Sequence, residues 1–213
     1  MTRIVLVRHG QTKWNIGAEG VRFRGRTDLA LDEVGRAQAE ALAERLSGLP
    51  IAAVYSSPLR RAVQTAKPIA DKLGLQVRPI SGLMDIDYGD WQGRTPDEVA
   101  KIYPDLYRLW LDKPHLVEFP HGESLAEVRA RVMAALKELI ARHKGQTILL
   151  VAHQVVNKVL ICAMLGLDNS HFWRIRQDNG CIDIFDYEEG RFTAVLINDT
   201  CHLKAIKCPQ GTV

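Results

Sequence analysis

Arg3-Ile4-Val5-Leu6-Val7 running into Arg8-His9-Gly10, and Thr147-Ile148-Leu149-Leu150-Val151-Ala152 running into His153, decide the fold of this chain. Both are short apolar stretches, the pattern of strands buried in a parallel sheet. Around them, strand and helix signals alternate. Asp32–Leu46 carries Val34, Ala37, Ala41, Leu42 and Leu46 at helical spacing, with Gly48 and Pro50 as the stop. Ala52–Ser56 reads as a strand, and Ser57-Pro58 as N-cap and first-turn proline of a helix reaching Leu73, closed by Gly74. Gln76–Ile80 is a third strand. Ser124 and Glu127 have capping-box spacing at the head of a helix to His143, and a further helix follows His153 to Leu165. Cys181–Tyr187 and Phe192–Asn198 alternate like a hairpin turning at Glu189-Gly190. Residues 85–123, rich in Asp, Gly, Pro and aromatics, leave the sheet and return, with helical pieces after Thr95-Pro96 and around Leu106–Leu111. The expectation is a single α/β domain over residues 1–213. It is a three-layer α/β/α sandwich with a mostly parallel sheet and a helical and loop insertion covering the site.

The chain has 213 residues, 46% hydrophobic and 25% charged, an ordinary soluble composition. A net charge of +3 offers no case for a nucleic-acid binder, and no apolar run is long enough to span a bilayer. The start Met1-Thr2-Arg3-Ile4-Val5-Leu6-Val7-Arg8-His9 puts an arginine inside what a signal peptide would need as its apolar core, so a cytoplasmic protein is expected. The sparse cysteines (Cys162, Cys181, Cys201, Cys208) form no C-x-x-C pair and read as reduced thiols, with Cys162 in the core. The charge is uneven. Residues 1–30 hold six basic groups against two acidic ones, a local surplus of four, so the remainder sums to −1. Such a cluster is either a solvated basic face or an anion-attracting field.

Two strands that end in histidine could deliver both imidazoles to the carboxyl edge of the sheet, where α/β proteins bind ligands. A third strand ends at Ser56-Ser57-Pro58-Leu59-Arg60-Arg61, where helix amides and an arginine fork can meet an anion. Arg60 and Arg61 cannot face the same way on a helix, so one is expected in the site and one in solvent. His115, His143 and His171 carry no motif and read as surface or packing residues.

Taken in order, six separated segments resemble the histidine phosphatase (phosphoglycerate mutase-like) superfamily. They are Leu6-Val7-Arg8-His9-Gly10-Gln11-Thr12-Lys13-Trp14-Asn15, Arg22–Leu31, Tyr55–Ala66, Gly89-Asp90-Trp91-Gln92-Gly93 with Gly122-Glu123-Ser124, and Val151-Ala152-His153. The resemblance implies a hydrolase in which His9 takes the phosphoryl group as phosphohistidine. Arg8, Asn15, Arg60 and His153 would surround the phosphoryl oxygens, with no metal and no cofactor. The leaving oxygen would be protonated from the register of a family glutamate, occupied here by Asp85, with Asp87 as the fallback. Substrate contacts are implied for Gly25, Arg26, Thr27, Tyr88, Gln154 and His202.

Tyr88-Gly89-Asp90-Trp91-Gln92-Gly93 and the compact excursion resemble the phosphatase side. Glu118–Leu125 and Asn198–Leu203 are similar to the metal-independent phosphoserine phosphatase branch, which carries histidine where this chain has Tyr88. The leading reading is a phosphomonoesterase for a small anionic phosphorylated metabolite, phosphoserine among the candidates. A cofactor-dependent phosphoglycerate mutase is the alternative, and a non-catalytic phosphate-binding module ranks below both. Relatives often pair by sheet edges, which leaves a homodimer open. The aromatics Trp91, Tyr103, Tyr107, Trp110 and Phe119 either pack a satellite core or face the ligand.

Overall fold

The computed structural model describes residues 1–16 and 20–206. Six strands, β1 (Thr2–Arg8), β2 (Ile51–Ser56), β3 (Val77–Pro79), β4 (Thr147–Ala152), β5 (Ile182–Glu188) and β6 (Arg191–Asp199), form one sheet in the order β3-β2-β4-β1-β5-β6. The first four in that row run parallel, while β5 and β6 are antiparallel additions at one side. Strand β1 is apolar throughout because both faces are covered. Val5 and Val7 pack with Leu42, Leu46, Ala62 and Ile69 on one face, whereas Ile4 and Leu6 pack with Leu136, Val156 and Leu160 on the other. The helices responsible are α1 (Glu33–Leu46) and α2 (Arg60–Lys72) on the first face, and α5 (Leu125–Arg142) and α6 (Gln154–Met164) on the second. This is the expected three-layer α/β/α arrangement with a mostly parallel sheet.

Local chemistry accounts for most boundaries. Asp32 caps α1 by accepting from Gly35 N, and Ser124 with Glu127 closes a reciprocal capping box at α5, worth about 0.5–2 kcal/mol. The start of α2 differs from the sequence reading. Helix α2 begins at Arg60 with Leu59 as its N-cap and no side-chain cap, because Ser57 Oγ accepts from Leu59 N in a preceding turn instead. That two-residue delay sets the phase of the arginines that follow.

The excursion holds α3 (Pro96–Ile102) and α4 (Pro104–Asp112) and returns through a short turn at Pro114–Leu116. Its aromatics form a core on the α5/α6 face. Phe119 stands edge-on to Tyr88 and Trp91 at 5.0 Å from each, and 5.3 Å from Trp110. Gly89, at φ +51°, lies so close to the returning arm that a Cβ would come within 1.9 Å of Pro120 O, which fixes glycine in the Gly-Asp-Trp segment. Cys162 is in the core as expected, Cys162, Cys181 and Cys201 are unpaired, and Cys208 lies outside the described residues.

Candidate active site

Strands β1 and β4 are in register from Arg3↔Thr147 to Arg8↔Ala152, so the residues that follow them, His9 and His153, emerge side by side. His9 N donates to Ala152 O at 3.0 Å, and the two rings sit 5.2 Å apart, both fully buried. On the far side of β4, Ser57 N donates to Val151 O at 2.9 Å and brings the start of α2 alongside. Here the connections of the sheet diverge, to α1 and α2 on one face and to α5 and α6 on the other, leaving a crevice at the carboxyl edge.

Hydrogen bonds fix what each imidazole can do. His9 Nδ1 lies 2.7 Å from Gly10 O, and since a carbonyl only accepts, Nδ1 carries the proton and Nε2 keeps a lone pair. His153 is the reverse: Arg61 Nε donates to its Nδ1 at 3.2 Å, so its proton sits on Nε2. Neither Nε2 has a protein partner although both are buried. One is a base and the other a donor. Both rings are held well below the usual histidine range, first by burial and then by surrounding guanidinium groups, with Arg61 foremost.

The arginine at this centre is not the one the sequence reading chose. Arg60 is exposed, and its backbone N donates to Asp28 Oδ1 at 2.7 Å. Arg61 is fully buried and donates to Thr27 O and Gly25 O at 2.7 Å each, to His153 Nδ1, and to Asp85 Oδ2 at 3.0 Å. The correction follows from helix phase: with α2 starting at Arg60, the inward face runs through Arg61, Ala62, Thr65, Ala66 and Ile69. Arg8 adds a second guanidinium, its Nη1 donating to Gln177 O at 2.5 Å and its Nε left unpartnered. Arg24, which sequence reasoning placed only in a basic cluster, adds a third. Its Nη1 donates to Trp14 O at 3.0 Å, its Nε is buried without a partner, and its charge acts on His9, Asp85, Arg61 and Tyr88. Of the other early basic residues, Arg3 is paired to Asp186 and Arg22 donates to Gly93 O. Only part of the N-terminal surplus is the anion-attracting field.

Asp85 is buried within reach of both catalytic-looking elements, 3.0 Å from Arg61 Nη2 and 3.6 Å from His153 Nδ1. Burial pushes its carboxyl up, and outweighs the opposing charges of Arg61 and Arg24. Asp87 stands apart, accepting from Gly89 N at 2.9 Å and paired with Arg26 at 3.3 Å. Asn15 is half-buried and uses its carbonyl to accept from Thr12 N and Thr12 Oγ1, leaving its amide donors over.

The implied substrate contacts divide. Tyr88 is buried beside Asp85, and Gln154 is half-buried at the start of α6, next to His153. Gly25 and Thr27 turn their carbonyls onto Arg61, so they act inside the protein. Gly25 sits at φ +46°, and a Cβ there would come within 2.3 Å of Gln92 Oε1, so this turn accepts only glycine. Arg26 is engaged with Asp87 and with Glu123 at 3.0 Å. His202 is not among the groups that meet. Its Nε2 contacts Gly180 O at 3.1 Å, while the N–H of that same residue lies within 3.3 Å of both Arg8 O and His9 O. Gly25, Arg26, Thr27 and His202, four of the implied substrate contacts, thus each have a partner within the fold. Among the described residues no group of three or more His, Cys, Asp or Glu converges in a metal-binding arrangement, and no helix is long and apolar enough to cross a membrane.

Three guanidinium groups around a neutral, desolvated imidazole at the carboxyl edge of a parallel sheet define a site built for phosphoryl groups. A family model for the histidine phosphatase superfamily (branch 1) matches residues 4–200, and the chain belongs to that superfamily. It is 41% identical over 204 residues to phosphoserine phosphatase 1 of Hydrogenobacter thermophilus, covering 95% of each chain. Among solved structures it is similar to Bacillus stearothermophilus YhfR, with a TM-score of 0.90 and 32% identity over 96% of this chain and 100% of that one. It is also similar to a phosphoserine phosphatase mutant from Entamoeba histolytica in complex with phosphoserine, with a TM-score of 0.84 and 29% identity over 95% and 100%. The protein is an enzyme that hydrolyses phosphate esters.

Proposed function

We propose that the enzyme transfers the phosphoryl group of a small anionic metabolite to His9 Nε2 and then to water, without a metal ion. The observation that carries this reading is the Nδ1–H···O bond from His9 to Gly10, which leaves a desolvated lone pair on Nε2 beside Arg8 and the Nε2–H of His153. Nε2 attacks phosphorus as the ester P–O bond breaks, and the departing oxygen takes a proton from Asp85, whose carboxyl burial pushes towards the protonated form. Arg8, Arg61, Arg24, Asn15 and His153 hold the charge that builds on the phosphoryl oxygens, the role expected earlier of Arg60. Water then attacks the phosphohistidine and returns a proton to Asp85, which frees His9 and inorganic phosphate.

Three guanidinium groups against one carboxylate suit a substrate with an anionic group besides its phosphate. The names of the relatives make phosphoserine the first candidate. Rapid quenching with radiolabelled phosphoserine tests the route: an acid-labile, base-stable label should map to His9 and vanish in His9→Ala. Turnover with no labelled enzyme would refute the phosphohistidine. Phosphate release that persists in EDTA is expected, and its abolition by the chelator would refute the metal-free route. Conversion of 3-phosphoglycerate to its 2-isomer without phosphate release would favour the mutase reading instead.

A further inference from the structure

The Gly122-Glu123-Ser124 segment has no part in the chemistry above, yet it supplies the most connected carboxylate in the neighbourhood of the acid. Glu123 Oε1 and Oε2 take the Nε and Nη2 of Arg131, on the second turn of α5, at 2.9 and 3.0 Å. The remaining donors of Arg131 reach three carbonyls of the loop that carries Asp85: Gly82 O at 3.0 Å, Met84 O at 2.7 Å and Asp85 O at 3.1 Å. Glu123 also grips Asp87 twice, accepting from Asp87 N at 3.0 Å and donating its own N–H to Asp87 O at 2.8 Å. Its second cation is Arg26, whose neighbours Gly25 and Thr27 hold Arg61. One half-buried carboxylate thus ties the backbone on both sides of Asp85 to α5, and to the segment that fixes the arginine paired with Asp85.

We propose that Glu123 and Arg131 are positioning residues that set the carboxyl of Asp85 against the leaving oxygen. This rests on Asp85 as the proton donor. An aspartate gives such a device leverage: its side chain has one torsion fewer than a glutamate, so its reach is set almost entirely by its backbone. Glu123 itself stays ionised. Burial pushes it up, but the Arg131 hydrogen bonds, the Asp87 N–H and the two arginine charges outweigh that. A guanidinium is needed at 131 because only its planar fork can serve a bidentate carboxylate and a row of carbonyls together.

The experiment compares kcat/KM for an alkyl phosphate, phosphoserine, with that for p-nitrophenyl phosphate, whose phenolate leaves without a proton. Glu123→Gln and Arg131→Lys should each lower kcat/KM for phosphoserine by about 10- to 100-fold, since displacement of about 1 Å from a reacting group can cost that much. The aryl ester should change by less than about threefold. Asp85→Asn is the reference and should show the same leaving-group selectivity, only larger. If it shows none, Asp85 is not the acid and the positioning role falls with it. If Asp85→Asn is selective while Glu123→Gln and Arg131→Lys depress both substrates equally, or neither, the pair is structural and the proposal is overturned. Thermal melts of the same samples identify a variant that has not folded, and the other variant then decides.

Discussion

Arg61→Lys and Arg60→Ala separate two readings of a pair of adjacent arginines. Arg61 has no exposed surface and makes four contacts: two carbonyls, Asp85 and the unprotonated nitrogen of His153. Lysine keeps the charge opposite Asp85 but cannot span those partners, so at least two acceptors lose their donor. At about 1–3 kcal/mol for a buried group left unsatisfied, the expected cost is about 2–6 kcal/mol, a large part of the ~5–15 kcal/mol typical of a folded domain. The chemistry suffers as well. Without the Arg61 Nε–H on Nδ1, His153 is free to move its proton there, and Nε2 then no longer donates to a phosphoryl oxygen. Loss of one such donor lowers kcat by about 10²–10³. Arg60 is exposed and tied to Asp28 only through its backbone, so Arg60→Ala should stay within about 0.5 kcal/mol in stability and about twofold in kcat/KM. Phosphate release at saturating and limiting phosphoserine, with thermal melts, measures all of these. An Arg60→Ala enzyme as impaired as Arg61→Lys would refute the assignment.

Asp85→Asn should reduce turnover by orders of magnitude, and Asp87→Asn far less, because Asp87 is occupied by Gly89 N and Arg26; the opposite ranking in steady-state kinetics would move the acid to Asp87. The pH profile of kcat/KM should be a bell. The acid limb falls below the ordinary histidine range, where His9 protonates, and the alkaline limb lies above the ordinary carboxylate range, where Asp85 ionises, so Asp85→Asn should lose the alkaline limb. Asp183, fully buried with Gln177 Nε2 at 2.7 and 2.9 Å from its two oxygens, is pushed up to about 6 by burial. A raised carboxyl favours folding below its unfolded value and loses that contribution as pH climbs to about 6. Asp183→Asn should therefore gain stability relative to the parent between pH 4 and pH 7, and a pH-independent difference in denaturant midpoints would contradict this. Phe119→Ala removes the hub of three edge-on aromatic contacts and should cost about 3–5 kcal/mol by denaturant titration.

Much of this was legible before any coordinates. Strands β1, β2 and β4 announce themselves because burial on both faces leaves runs of apolar residues, and the α5 cap because a Ser with Glu three residues on solves a local hydrogen-bonding problem. The phase of α2 was readable too. Ala62, Ala66, Ile69 and Ala70 mark an inward face next to Arg61, while Arg60 is in phase with the exposed Gln64 and Lys67. The N-cap taken at Ser57 obscured it. No local signal marks Arg24, because its burial depends on Trp14 O and on the loop that carries Asp85. Nor does any mark Gln177, Asn179 and Gly180, which grip Arg8 and His9 from about 170 residues away.

By itself, the sequence determined the alternation of strand and helix, the two histidines at strand ends and the acidic loop, all properties of spacing and residue type. Tertiary structure alone decided that Arg24 joins the site, which imidazole nitrogen keeps its lone pair, and what Glu123, Arg26 and His202 touch. Those outcomes depend on hydrogen-bond partners and desolvation supplied by segments far apart in the chain. No window of neighbouring residues contains the groups that set them.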